Sequence, residues 1–268
     1  MIDLFSLTGK VAVVTGALGL LGKNHCYALS EAGANVVVVD IDDNDCKKFA
    51  KKLTTKSIGI GCDITDAESV KKLKESVLKN FRKIDILVNN AAINDMFENP
   101  STVVEQSKFE NYPLDLWQKS LDVNLTGTFL CCQILGTEMA KAGSGSIINI
   151  ASTYGIVAPN QSIYKKENGK QSFYKSAAYP VTKGAIISFT RFLAAYWGDK
   201  GVRVNTLSPG GVENNQEEYF TKNYSHATPL GRMAQPTDYK GAIVFLASDA
   251  SSYMTGANLI VDGGWTAW

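Results

Sequence analysis

Tyr179-Pro-Val-Thr-Lys183 places a phenol and an ammonium four residues apart. On a helix, positions i and i+4 share a face, so the two side chains project together. A neighbouring ammonium favours phenolate and lowers a pKa that is ordinarily about 10. Tyr179 would then give and take protons near neutral pH, an effect of roughly 10²–10⁴-fold in rate. The pentad alone is weak evidence, because Tyr-x-x-x-Lys also recurs in structural helices. Pro180 fits if the helix begins at about Ser176, which puts the ring in or near the first turn. Four further polar clusters punctuate the chain: Asn89-Asn90-Ala91-Ala92, Asn124 in Asp-Val-Asn-Leu-Thr-Gly, Ser152 in Asn-Ile-Ala-Ser, and Asn205-Thr-Leu-Ser-Pro209-Gly210.

A second constellation suits a nucleotide. Lys10–Gly22 reads K-V-A-V-V-T-G-A-L-G-L-L-G, with glycines at 16, 19 and 22 between an apolar run and a helical pattern. Glycine lets backbone N–H groups approach a pyrophosphate, and a helix N-terminus adds partial positive charge. Such a turn alone could be an ordinary β–α connection. Asp40 strengthens the case, 18 residues after Gly22 at the end of the next apolar run. A carboxylate there can accept ribose hydroxyls and repels a 2′-phosphate. No Lys or Arg occupies positions 15–22 or 41, so the expected cofactor is NAD(H) in preference to NADP(H). The alternative for Asp40 is a helix-capping role alongside Asp42 and Asp43. Asp63, in Cys-Asp-Ile-Thr with Ile64, could meet an adenine edge or cap a helix.

The elements that must position these residues alternate. Short β-branched runs are expected as strands at Val11–Thr15, Asn35–Asp40, Ser57–Gly61, Ile84–Asn89, Ser146–Ser152, Val202–Leu207 and Ala257–Val261. Helical patterns lie between them at Leu21–Ala32, Asp42–Leu53, Asp66–Phe81, Leu114–Ala140, Ser176–Trp197 and Thr237–Ser248. This alternation predicts a doubly wound, Rossmann-type α/β fold. Its seven-stranded parallel sheet would be flanked by helices in a single domain over residues 1–268. The irregular stretches 93–113, 155–175 and 209–236 follow strand carboxyl ends, where ligands sit in open α/β sheets. They are expected to wall a substrate cleft, or else to be surface decoration.

Composition narrows the classes further. Lys+Arg total 27 and Asp+Glu 26 in 268 residues, too even for a nucleic-acid or membrane-surface protein. With 45% hydrophobic and 20% charged residues the chain is globular rather than disordered. No apolar run approaches the ~18–20 residues of a membrane span, and the start lacks a basic segment followed by an apolar block. Five cysteines without C-x-x-C fit a reducing cytoplasm. Two histidines, His25 and His226, make a histidine-based metal site unexpected.

Taken in order, these motifs resemble the short-chain dehydrogenase/reductase family from Leu7 to Trp265. The resemblance implies an NAD-dependent oxidoreductase that interconverts a secondary alcohol and a ketone. It implies Tyr179 as the acid/base, Lys183 lowering its pKa and holding the nicotinamide ribose, Ser152 orienting the substrate oxygen, and Asn124 anchoring a water that links Lys183 to solvent. Gly16, Leu18, Gly19, Leu20 and Gly22 would carry the pyrophosphate. Asp40, Asp63, Ile64, Asn89, Asn90 and Ala91 would serve the adenosine half, and Pro209, Gly210 and Val212 the nicotinamide.

There are departures from the family pattern. The glycines follow T-G-x-x-G-x-x-G rather than T-G-x-x-x-G-x-G, with Leu20 where a glycine is expected. Asn214 stands where the family often has Thr. Ser152 and Tyr179 are 27 residues apart, about twice the family's spacing. The extra residues are polar and aromatic rather than aliphatic, so a sugar, sugar phosphate or nucleotide sugar fits better than an acyl chain or steroid. Lys165, Lys166, Lys170 and Lys175 could meet a phosphate or be solvated. The insertion is similar to members that modify bacterial surface sugars and flagellin. Alternatives are a 3-oxoacyl-thioester reductase, against which Asp40 counts, and a non-catalytic NAD-binding sensor or scaffold, against which the surviving proton-handling residues count. The resemblance also implies a homo-oligomer, tetramer or dimer, built on the helices at 114–140 and 176–197 and on the C-terminal strand. Phe189, Phe192, Tyr196 and Trp197 would supply apolar contact or core, and Trp265 and Trp268 would reach a neighbour's cleft or pack at the interface.

Overall fold

The computed structural model describes residues 4–94 and 104–268. The first three residues of the start, and 95–103 of the expected 93–113 loop, lie outside the described residues. The strands are β1 (Val11–Thr15), β2 (Asn35–Asp40), β3 (Ile58–Gly61), β4 (Ile86–Asn89), β5 (Gly145–Ile150), β6 (Val202–Pro209) and β7 (Asn258–Val261). They form one parallel sheet in the order β3-β2-β1-β4-β5-β6-β7. The winding reverses between β1 and β4, which opens a crevice at the strands' carboxyl ends.

The helices are α1 (Leu20–Glu31), α2 (Asp43–Ala50), α3 (Ala67–Phe81), α4 (114–142), α5 (Ala178–Trp197), α6 (Glu218–His226) and α7 (Lys240–Ala247). Alternation along each strand sends successive side chains to opposite faces. Ala12, Val14, Val36, Val38 and Ile148 pack with Leu29 of α1 and Ile243 and Leu246 of α7 on one face. Val11, Val13, Val37, Val39 and Ile147 pack with Leu73 of α3, Leu135 of α4 and Leu193 of α5 on the other. Continuous β-branched runs buried on both faces are what a parallel sheet between two helical layers requires.

The boundaries differ where side chains intervene. β4 begins at Ile86, because the Asp85 carboxylate accepts from Val11 N and pairs with Lys83. α2 starts under an Asp42 cap and α3 under an Asp66 cap. α4 is a single rod, but i→i+5 turns widen it at Asp122–Gly127 and Cys132–Gly136. The turn ahead of α7 is a tighter one, Pro236–Tyr239. Two stretches expected as loops carry helix: a single turn at Val104–Ser107, and α6. α6 forms because Phe220 and Tyr224, four residues apart, bury against Tyr164, Ile163 and Trp265 in a satellite core. That core orders the 155–175 segment, with Tyr164 only 1% exposed. No helix among the described residues is long and apolar enough to cross a membrane. All five cysteines are buried and free.

Candidate active site

A cavity of about 800 Å³ opens at the carboxyl edge of β4, β5 and β6. It brings together Leu20, Asn90, Ser152, Tyr179, Lys183, Pro209, Gly210 and Val212, which lie up to 192 positions apart in the chain. The 155–175 and 209–236 segments both contribute wall, through residues such as Lys166, Phe173, Lys175 and Asn214.

The glycine turn is built by contact. Gly16 has φ +59°, and a Cβ there would lie 2.6 Å from Ala91 Cα. A Cβ on Gly22 would lie 2.1 Å from Gly16 O, whereas one on Gly19 would sit 3.3 Å from the same oxygen. Gly19 is the N-cap of α1 and Leu20 its first residue, so position 20 needs no glycine. Thr15 Oγ1 accepts from Asn90 N and Ala91 N at 3.1 and 3.2 Å, and Asn90 Nδ2 donates to Thr15 O and Gly16 O. These bonds stitch β4 to the turn. Asp40 accepts from Leu18 N at 2.9 Å and from Ile41 N at 2.8 Å. Asp42, not Asp40, caps α2, which leaves Asp40 fixed beside the glycine turn. The cradle therefore fits a dinucleotide: glycines that admit close backbone approach, a helix N-terminus, and an oriented carboxylate. Asp63 accepts from Thr65 N and Oγ1 while Asp66 caps α3. Ile64 is 7% exposed and lies where a Cβ on Gly127 of α4 would touch it; it turns to the core.

The proton-handling group is compact. Ser152 follows β5 and accepts from Tyr154 N at 3.1 Å. Its hydroxyl also hydrogen-bonds Tyr179. Lys183 donates to Ile150 O at 2.8 Å, and its Nζ lies 5.7 Å from the Tyr179 ring centroid. Burial lowers the Lys183 ammonium to about 8. Burial raises the Tyr179 phenol above its ordinary value, against the opposing pull of the Ser152 hydrogen bond. This corrects the expectation of a lowered phenol: desolvation of the buried phenol is the larger effect, and Lys183 is engaged by a backbone carbonyl.

Asn89 and Asn124 are not part of the cavity wall. Asn89 points away from the cavity, buried and donating to Asn149 Oδ1 at 2.8 Å; Asn149 in turn donates to Thr190 of α5. Asn124 sits in the first widened turn of α4, accepting from Ile93 N at 2.8 Å and donating to Ile93 O and Thr182 Oγ1. Widened turns often mark functional positions. Of the aromatics in α5, Trp197 is buried while Phe192 and Tyr196 are exposed. Trp265 stacks on Tyr224 of its own chain at 4.1 Å; Trp268 is exposed.

Two residues, Gly155 and Tyr224, escaped the sequence reading, and a third, Lys175, lies where that reading did not put it. Gly155 lets the chain after Ser152 touch α5, since a Cβ there would lie 2.7 Å from Lys183 C. Tyr224 accepts from Gly211 N at 2.5 Å and holds the Pro209–Val212 path. Lys175, expected to meet a phosphate or be solvated, is not solvated but buried beside Tyr179. Only its spacing signalled this, four residues before Tyr179 as Lys183 is four after.

A family profile described as enoyl-(acyl carrier protein) reductase matches residues 16–266. The chain is 36% identical to the D-threitol dehydrogenase of Mycolicibacterium smegmatis, over 98% of this chain and 95% of that one. It is 35% identical to the NAD-dependent glycerol dehydrogenase of Listeria innocua, over 98% and 96%. A short-chain type dehydrogenase/reductase from Mycobacterium marinum superposes with TM-score 0.85 at 31% identity, over 100% of this chain and 99% of that one. A gluconate 5-dehydrogenase from Burkholderia cenocepacia, solved with NADP and tartrate, superposes with TM-score 0.83 at 28% identity, over 99% and 98%.

Proposed function

The chain belongs to the short-chain dehydrogenase/reductase family, and on that premise we propose how its residues divide the work of an oxidoreductase that interconverts secondary alcohols and ketones of polar substrates. Tyr179 is the acid/base. Its raised pKa keeps the phenol protonated at neutral pH, ready to donate to a carbonyl oxygen. In the oxidative direction Tyr179 accepts the proton of the substrate hydroxyl, so oxidation quickens as pH rises. Ser152 orients the substrate oxygen and shares its developing charge. Lys183, with its ammonium 5.7 Å from the Tyr179 ring centroid, keeps a positive charge beside the phenol and holds the nicotinamide ribose. Asn124 keeps α4 and α5 in register behind Lys183 and anchors a water there.

When bound, the nicotinamide supplies the hydride acceptor or donor. The glycine turn of Gly16, Leu18, Gly19, Leu20 and Gly22 would hold its pyrophosphate. Asp40 would hold the adenosine ribose, with Asp63, Asn90 and Ala91 beside it, and Pro209, Gly210 and Val212 would back the nicotinamide. The Asp40 carboxylate, fixed by Leu18 N and Ile41 N, supports NAD(H) over NADP(H), as in the glycerol dehydrogenase relative; the gluconate 5-dehydrogenase neighbour carries NADP. The buried free cysteines suit a reducing cytoplasm. The description of the matching family profile favours a second reading, an acyl-thioester reductase, but the lysines and hydroxyls of the cavity wall suit a polar substrate better.

The observation that carries this reading is the meeting of Tyr179, Ser152 and Lys183 in one cavity beside the glycine turn. A Tyr179→Phe variant tests it. NADH binding, read by fluorescence, should persist, while turnover of threitol, glycerol and related polyols with NAD⁺ falls by about 10²-fold or more. Full turnover in the variant would overturn the assignment.

A further inference from the structure

Two phenols meet in the cavity wall. Tyr154 Oη and Tyr164 Oη lie 3.2 Å apart, and both residues line the cavity. Tyr164 is buried, its ring 4.5 Å from that of Phe173 and 5.3 Å from that of Phe220 between centroids. The backbone around it is pinned. Ser172 Oγ donates to Tyr164 O at 2.7 Å, and Asn223 Nδ2 donates to Ile163 O and Lys165 O at 3.1 and 3.0 Å. Tyr154 comes from the other side, two residues after Ser152, and its N donates to Ser152 Oγ at 3.1 Å. Its phenol is thus tied to the residue expected to orient the reacting oxygen.

Each phenol carries one O–H proton. The bond between the two hydroxyls uses one of them, and no other hydrogen bond joins either hydroxyl to the described residues. The second proton needs an acceptor, because a buried donor left unpaired is costly. Tyr164 is buried and Tyr154 half-buried, so Tyr164 donates to Tyr154 and the Tyr154 proton is the one turned into the cavity. Accepting from Tyr164 also polarises the Tyr154 O–H and strengthens it as a donor. Burial, aided by charge at Tyr179, pushes the Tyr154 phenol up to about 12, so it keeps its proton at neutral pH. We propose that Tyr154 donates to a second oxygen of the substrate, one or two carbons from the reacting carbon, and so selects hydroxyketones and polyols over plain ketones and alcohols of the same size. The inference rests on the cavity being the substrate site, as argued above. An isostere that lacks the second oxygen leaves the donor unpaired, a loss of about tenfold or more.

The test is kcat/KM for NADH-dependent reduction of matched pairs, hydroxyacetone against butan-2-one and 4-hydroxybutan-2-one against pentan-2-one. A nearby oxygen also activates a ketone by electron withdrawal, so the readout is how the ratio within a pair changes on mutation. Tyr154→Phe keeps the ring and removes the hydroxyl. It should cut the advantage of the hydroxyketone by about tenfold or more in at least one pair. The methyl ether of that hydroxyketone should lose its advantage as well, because an ether oxygen accepts but cannot donate. Tyr164→Phe, which leaves the inward donor in place, should retain most of the advantage. Thermal melting and NADH fluorescence establish that each variant is folded. A Tyr154→Phe loss that falls equally on both members of each pair overturns the proposal, because the hydroxyl would then act through Ser152. So does an advantage lost in Tyr164→Phe but kept in Tyr154→Phe, and so does a methyl ether indifferent to Tyr154→Phe. Ratios that Tyr154→Phe leaves unchanged remove this inference and leave the oxidoreductase reading intact, whereas a parent that reduces none of the ketones and oxidises none of the polyols overturns both.

Discussion

Lys183 is 3% exposed, and burial holds its pKa at about 8 against an ordinary 10.5. Between these values the unfolded chain binds a proton that the folded chain releases. The group therefore opposes folding at neutral pH, by roughly 3 kcal/mol, and its penalty fades as pH rises from about 8 to 10.5. Replacing it by Met removes that cost and leaves the Ile150 carbonyl unpaired, which takes back about 1 kcal/mol. Lys183→Met should thus raise the melting temperature at pH 7 by a few degrees while abolishing turnover, a separation that calorimetry and an activity assay read together. His25 runs the same logic at acid pH. Neither ring nitrogen has a hydrogen-bond partner among the described residues, and burial lowers its pKa from 6.5 to about 4. Below pH 6.5 the unfolded chain takes up a proton that the folded chain refuses, so stability falls as pH drops toward 4. Urea unfolding at pH 4.5 and pH 7 should show His25→Leu losing about 2 kcal/mol less than the parent across that interval.

At the scale of elements, the glycine turn and the widened turn of α4 do the positioning. A Cβ on Gly22 meets backbone at 2.1 Å, which cannot move aside. Gly22→Ala should cost about 1–3 kcal/mol and weaken NADH binding in a fluorescence titration at least several-fold, whereas Gly19→Ala, whose Cβ makes a tight but not overlapping 3.3 Å contact with Gly16 O, should weaken it less. The glycine pattern and the Tyr-x-x-x-Lys face were legible in the sequence because they depend on neighbours within a few residues. The 155–175 segment was not. Its order comes from Tyr164 stacking at 5.3 Å on Phe220, 56 residues away, and no local periodicity records a contact of that kind. Asn89 misled for a similar reason: it sits in a cofactor-like motif, but the fold turns it toward Asn149.

At the scale of the whole molecule, an aromatic patch stands on the surface of α4 and α5. Phe189, Phe192 and Tyr196 form a stacked ladder along α5, with centroids 6.5 and 5.8 Å apart, and Phe129 of α4 joins it at 6.1 Å from Phe189. Phe192 is 60% and Tyr196 64% exposed. If the chain forms the homo-oligomer expected from its sequence, an apolar patch of this kind is where subunits would meet. Light scattering should find the parent larger than a monomer, and Phe192→Glu should halve that mass or reduce it further while NADH binding survives. A monomeric parent would show the ladder to be surface only.

The alternation of apolar runs determined the seven strands and their parallel sheet, because strand–helix periodicity is a local property and crossover handedness leaves few ways to wind it. Short-range spacing likewise determined the phenol–ammonium pair, the glycine turn and the acidic residue after β2. Only the tertiary structure decided which charges are dry. Burial of Lys183, Tyr179, His25 and Lys175 depends on chain brought in from distant positions, and desolvation, not spacing, sets where the protons of Lys183, Tyr179 and His25 reside.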